Sequence, residues 1–436
     1  MLTYFKDIIK NQKSGKPAGI YSICSANSFV IEASMKQAKK DGTAVLIEST
    51  SNQVDQYGGY TGMKPADFVS FVRGIADKTG FLHERIILGG DHLGPNAWQD
   101  ENEKEAMEKA SVLVREYVLA GFSKIHLDAS MKLADDPEGR MKDETVAKRA
   151  AHLCAVCEKA FSELREKNPD APDLCYIIGT EVPIPGGAQE EEETLTPTSP
   201  EDAALTVNVT KKAFEEAGLL KAWEKVVAAV VQPGVEFGDE TVFDYIPEKA
   251  SGLSGYIKRD PSLIFECHST DYQTAGSLRD LVEDQFAILK VGPGLTFAFR
   301  EALFALAAIE GEIIPDADSR SNLKDNLEKS MLENPKNWKK HYHGDEDKLK
   351  FARKYSFSDR SRYYWPVPAL KQSVEKLIYN LRENRPPLTA LSQYLPKQYT
   401  AVRLGKIGND PVEIIHDKIM EVTSDYSYAC GTLKGE

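Results

Sequence analysis

The chain has 436 residues, 42% of them hydrophobic and 28% charged, with a formal net charge of −13. That composition suffices for a large buried core, and the acidity excludes a general nucleic-acid-binding face, which must be basic, while leaving a pocket free to differ locally. No stretch reaches the ~20 apolar residues of a membrane span, no apolar run at the N-terminus suits a signal peptide, and six cysteines in so long a chain do not form a disulfide framework, so a reduced, cytoplasmic protein is expected.

Strand-like and helical periods alternate along the first 311 residues. GIYSIC (19–24) reads as the first strand and AVLIES (44–49) as the second, followed by the polar loop SNQVDQYGGYTG. RIILGGDH (85–92), KIHLDAS (124–130) and LCYIIGTEV (174–182) follow, each leading into a helical stretch. VVAAVVQ (226–232), LIFECH (263–268) and FAILKV (286–291) complete eight. These runs are nearly continuously apolar, as parallel strands covered on both faces are. Eight such units predict an α/β fold, a (β/α)8 TIM barrel over 1–311. Residues 312–436 carry charged helical segments and the aromatic stretch SDRSRYYWPVP, and predict a helical C-terminal extension packed on the barrel or on a partner. Cys154 and Cys157 form C-x-x-C inside a helical pattern and are read as core packing.

In a TIM barrel the C-terminal strand ends share one face, where active sites lie. Asp91-His92, His126 and Asp128, Glu181, Gln232 with Glu236, and Glu266-Cys267-His268 with Asp271 all fall at such ends. An imidazole there can bind a divalent metal and a neighbouring carboxylate can move protons. Zinc sites in enzymes use about three His or Asp/Glu ligands, a count that His92, His268 and either Glu236 or Glu181 satisfies. His126 and Asp128 share a strand face; Asp128 is the better site candidate, and His126 is as readily an interior histidine. No G-x-x-x-x-G-K-[ST] phosphate loop is present.

The strings LIESTSNQVDQYGGYTGM, ILGGDHLGPN, GFSKIHLDASM, IGTEVPIPGG, VVQPGVEF, HSTDYQT and ILKVGP, with RYYWP and SQYLPKQ beyond the barrel, resemble the D-tagatose-1,6-bisphosphate aldolase accessory-subunit family. Its members have also been called tagatose-6-phosphate kinases and ketohexose 4-epimerases. The barrel is more distantly similar to class II zinc aldolases. That likeness implies a metal-binding His92, with Asp91 moving the proton of the C4 hydroxyl. It also implies a metal set of His92, Glu236 and His268, holding Zn2+ or alternatively Mn2+ or Ni2+.

The aldolase phosphate loop after the seventh strand is here Ser269-Thr270-Asp271, without glycines, and Asp271 would repel a phosphate if it faced the pocket. The resemblance thus implies C4 epimerisation of a ketohexose or its phosphate by C3–C4 bond opening, with the C2 carbonyl and C3 hydroxyl on the metal, or alternatively by deprotonation and reprotonation at the stereocentre. Glu181 and Asp128 would orient or shuttle protons. Ser25, Asn27, Asn52, Gln53, Gln232, Ser269 and Asp271 would bind the substrate. The alternative is a non-catalytic subunit stabilising a class II aldolase, its aromatic extension a partner surface; a homo-oligomer is compatible with either.

Overall fold

The computed structural model describes residues 2–139, 141–179 and 195–433. Eight parallel strands close a barrel: β1 (Ile20–Cys24), β2 (Val45–Thr50), β3 (Ile86–Leu93), β4 (Lys124–Leu127), β5 (Cys175–Ile178), β6 (Val226–Val231), β9 (Ile264–Cys267) and β10 (Phe286–Val291). Between the sixth and seventh barrel strands, β7 (Glu236–Phe237) and β8 (Val242–Phe243) form a small antiparallel hairpin. All eight expected strands are present. β4 and β5 end at Leu127 and Ile178, before Asp128 and Gly179, and positions 180–182 of the expected fifth strand lie outside the described residues.

Helices cover the outside, and further ones close the fold. Leu2–Lys13 places Phe5, Ile8 and Ile9 in one buried cluster with Ile20, Leu46, Ile87, Ile264 and Ile288, which fill the N-terminal half of the barrel. Helix Pro411–Ala429, from the extension, packs on helices Ser28–Asp41, Ala275–Glu283 and Pro293–Ile313. Helix Pro368–Glu383 packs on Pro293–Ile313 and Leu323–Glu333. Cys154 and Cys157 are buried free thiols on helix Asp143–Lys167, their ionisation suppressed by burial, in keeping with core packing. Among the described residues no helix is long and apolar enough to cross a membrane.

Candidate active site

The barrel core is apolar below and ionic above. Lys124 on β4 lies 2.5 Å from Glu48 of β2 and 2.7 Å from Glu266 of β9, all three fully buried. Lys290 on β10 pairs with Glu48 and lies 2.8 Å from Asp91. Buried ions cost several kcal/mol each to desolvate and are weak stabilisers, so a layer of them directly beneath the mouth points to chemistry rather than to folding. Sequence reading missed Glu48, Lys124 and Lys290. The available signal was a charged residue inside an otherwise apolar run in several barrel strands.

Asp91 and His92 are neighbours, and a regular strand would send them to opposite faces. The β3–β4 register breaks between Gly90 and Leu93, and His92 has φ +48°, rare for a residue with a Cβ. This irregularity lets both side chains serve the mouth, as bulges next to active sites do. His92 Nδ1 lies 2.7 Å from Asp128 Oδ2, whose carboxylate is also held by Asn96 Nδ2 (3.0 Å) and Ser130 Oγ (2.7 Å). His126, Asp91, Glu266 and His268 converge: one donor atom from each lies within 4.8 Å of all the others. The rings of His92 and His268 are 4.9 Å apart.

Charge sets the protonation states. Burial opposes ionisation of Asp91, but His92 and Lys290 outweigh it and hold the carboxyl well below its usual range. Burial likewise opposes ionisation of Glu266 and is overcome by Lys124 and Lys290. Asp128 is held low against burial by its bond to His92, and His92 is raised against burial by Asp91 and Asp128. Burial instead pushes His268 down to about 4, leaving a neutral imidazole at neutral pH.

These residues fit a divalent cation. Four buried carboxylates (Glu48, Asp91, Asp128, Glu266) face two buried ammonium groups (Lys124, Lys290), a negative surplus that remains when His92, raised toward its protonated form, is counted with the cations. His126 Nε2 must donate to the Gly179 carbonyl, 3.0 Å away, and Nδ1 accepts the His92 backbone N–H at 3.2 Å. Nδ1 also meets Asp91 Oδ1 at 3.0 Å as acceptor to acceptor; a cation between them would take the ring's one lone pair in place of the His92 N–H. The Asp128–His92 pair has the form of a carboxylate that orients a metal-ligating imidazole.

A cavity of about 120 Å³ opens on this cluster, lined by Asp91, His92, His268, Lys290, Asn52, Gln53, Ser269 and Asp271 among others. It adjoins one of about 540 Å³ that Ser25 and Asn27 line. Asn27 also caps helix Ser28–Asp41 through Phe29 N (2.9 Å), and Ser25 Oγ accepts from Asn27 N. Gln232 lines neither cavity; its Oε1 accepts from Gly234 and Val235 and shapes the turn after β6. Glu236 is buried in β7, where it accepts from Phe237 N at 2.9 Å. The expected trio His92, Glu236 and His268 does not converge as the four-residue group does; His126 and Glu266 stand in it instead. Glu181 lies outside the described residues.

The extension also reaches the site. Arg362 and Tyr363 line the smaller cavity, and Arg362 and Trp365 the larger. Trp365 packs on Phe299 with ring centroids 5.4 Å apart, and Tyr364 is buried. Part of this aromatic stretch is therefore packed against the chain's own barrel, through Trp365 on Phe299.

Residues 5–431 match the family described as D-tagatose-1,6-bisphosphate aldolase subunit GatZ/KbaZ-like. The chain belongs to that family. A probable tagatose 6 phosphate kinase from Sinorhizobium meliloti 1021 is 46% identical, with a TM-score of 0.86 over 94% of this chain and 100% of that one. A fructose-bisphosphate aldolase from Campylobacter jejuni matches at 15% identity and a TM-score of 0.44, covering 87% of this GatZ/KbaZ-like chain and 91% of its own. The YdjI aldolase from Escherichia coli K12 matches at 13% and 0.41, covering 86% and 96%.

Proposed function

We propose that this GatZ/KbaZ-like protein is a metal-dependent C4 epimerase of a ketohexose phosphate in the tagatose/fructose series. The observation that carries it is the convergence of Asp91, His126, Glu266 and His268 beside a cavity that Asp91, His268 and Lys290 line. His126, Glu266 and His268 of that set, with the adjoining His92, whose ring lies 4.9 Å from that of His268, would hold Zn2+, with Mn2+ or Ni2+ as alternatives, leaving Asp91 to move protons. When bound, the ion would supply Lewis-acid polarisation of the C2 carbonyl.

Asp91, ionised at neutral pH, accepts the proton of the C4 hydroxyl. The C4–O electrons form an aldehyde, the C3–C4 bond breaks, and its pair passes into a C2–C3 enediolate. Lys290, beside Asp91, places positive charge near that anion. The aldehyde rotates, C3 attacks its opposite face, and Asp91 returns the proton to O4, inverting C4 with no net gain or loss of atoms. Asn52 and Gln53, which line the same cavity, would bind hydroxyls.

Replacing Asp91 with Asn should lower kcat on the epimer pair by at least about a thousandfold, the scale of losing a positioned base, with an unchanged circular dichroism spectrum. Turnover within tenfold of the native protein would remove Asp91 from the role. A second reading has its own support, because the family is described as an aldolase subunit. In it the chain stabilises a separate class II tagatose-bisphosphate aldolase and the pocket turns nothing over.

A further inference from the structure

TIM barrels commonly hold phosphate between the loops after strands seven and eight, at a helix N-terminus. In this chain that place is already filled. Asp271, in the loop after the seventh barrel strand β9, accepts through Oδ1 from Gly292 N (2.9 Å) and Gly294 N (2.7 Å). These amides open helix Pro293–Ile313. The carboxylate is buried and sits where a phosphate oxygen would. Its loop is pinned from behind, since the Tyr426 hydroxyl donates to the Thr270 carbonyl at 2.8 Å.

A different cation faces the substrate space. Arg362 lines both cavities and so lies at their junction. Its guanidinium donates to the Ser358 and Asp359 carbonyls and to the Tyr363 hydroxyl, and to no carboxylate among the described residues. The nearby Asp359 carboxylate is engaged instead by Thr296 and Ser361, with Arg300 at 4.0 Å. The Tyr363 ring lies 4.5 Å from the guanidinium and backs onto Tyr60. A guanidinium held by neutral oxygens keeps its full charge, and its planar fork suits a phosphoryl group.

We infer that Arg362 holds the single phosphoryl end of the substrate, and that Asp271 closes the barrel's own phosphate site, so that the pocket selects a ketohexose monophosphate over a bisphosphate. The inference rests on the reading of this pocket as a ketohexose site. The reacting carbons then occupy the smaller cavity and the phosphoryl end points toward the larger one.

The test is calorimetric binding of D-fructose, D-fructose 6-phosphate and D-fructose 1,6-bisphosphate to the full metal-loaded chain. The native protein should bind the monophosphate at least tenfold more tightly than the free sugar and the bisphosphate no more tightly than the monophosphate. Arg362→Gln should erase the preference for phosphate, and Arg362→Lys should restore part of it. Asp271→Ala should free the two amides and raise bisphosphate affinity at least tenfold relative to monophosphate. A native preference for bisphosphate, or a phosphate preference unchanged in Arg362→Gln, would overturn the inference. Binding needs no turnover, so a protein that binds in this Arg362-dependent way without converting the sugar sinks the epimerase reading alone.

Discussion

Asp128 touches neither cavity, yet it fixes the direction of His92 through a 2.7 Å contact to Nδ1. Outer partners of this kind typically change metal affinity by 10–100-fold when removed. Asp128→Asn should accordingly weaken zinc retention by that factor in a competitive chelator titration, with the fold intact; an unchanged affinity would place His92 outside the metal site. Strand ends carrying Asp91, His92 and His268 were legible in sequence because polar groups there break long apolar runs. His126 and Glu266 were harder to assign, since an interior polar residue and a ligand look alike until the opposite strands are known. Gln232, which lines neither cavity, shows the converse. A short polar side chain after a strand is equally suited to a cap or a turn, and Asn27 and Gln232 form backbone bonds of that kind.

Helix Pro411–Ala429 connects the end of the chain to the site. Tyr426 on this helix holds Thr270, between His268 and Asp271. Tyr426→Phe removes a buried hydrogen-bonding hydroxyl and should cost about 1–3 kcal/mol in urea unfolding; a loss under a few tenths would show that the loop stands alone. The same helix carries His416, 1% exposed. Burial, then the nearby Lys36, push it down to about 4, with Lys78 adding to the effect and Glu32 opposing it. The unfolded chain therefore binds this proton more readily than the native one between about pH 6.5 and pH 4. Stability should be full above pH 6.5 and fall on acidification through that window, by roughly 3 kcal/mol at most. His416→Gln should flatten that part of the stability profile relative to the native protein. An unchanged slope would show that His416 titrates as a solvated group.

At the scale of the molecule, the alternation of apolar strands and amphipathic helices was enough to specify a closed (β/α)8 barrel, because eight buried parallel strands leave few other arrangements. The roles of the outer segments were not legible. Leu2–Lys13 has the ordinary pattern of an amphipathic helix, and nothing local shows that Phe5, Ile8 and Ile9 seal the barrel. RYYWP likewise gives no sign that Arg362 and Trp365 wall the cavities, a placement set by contacts far apart in sequence. The resulting molecule combines a buried ionic layer, a donor set suited to a divalent ion and a cavity completed by its own extension. The most direct test is incubation of the purified, metal-loaded chain alone with the D-fructose and D-tagatose 6-phosphates, and with their free sugars and 1,6-bisphosphates, with and without chelator. Chelator-sensitive interconversion of the 6-phosphates is the predicted result. No conversion of any pair by the chain alone, with activity appearing only beside an aldolase partner, would contradict it and leave a stabilising subunit.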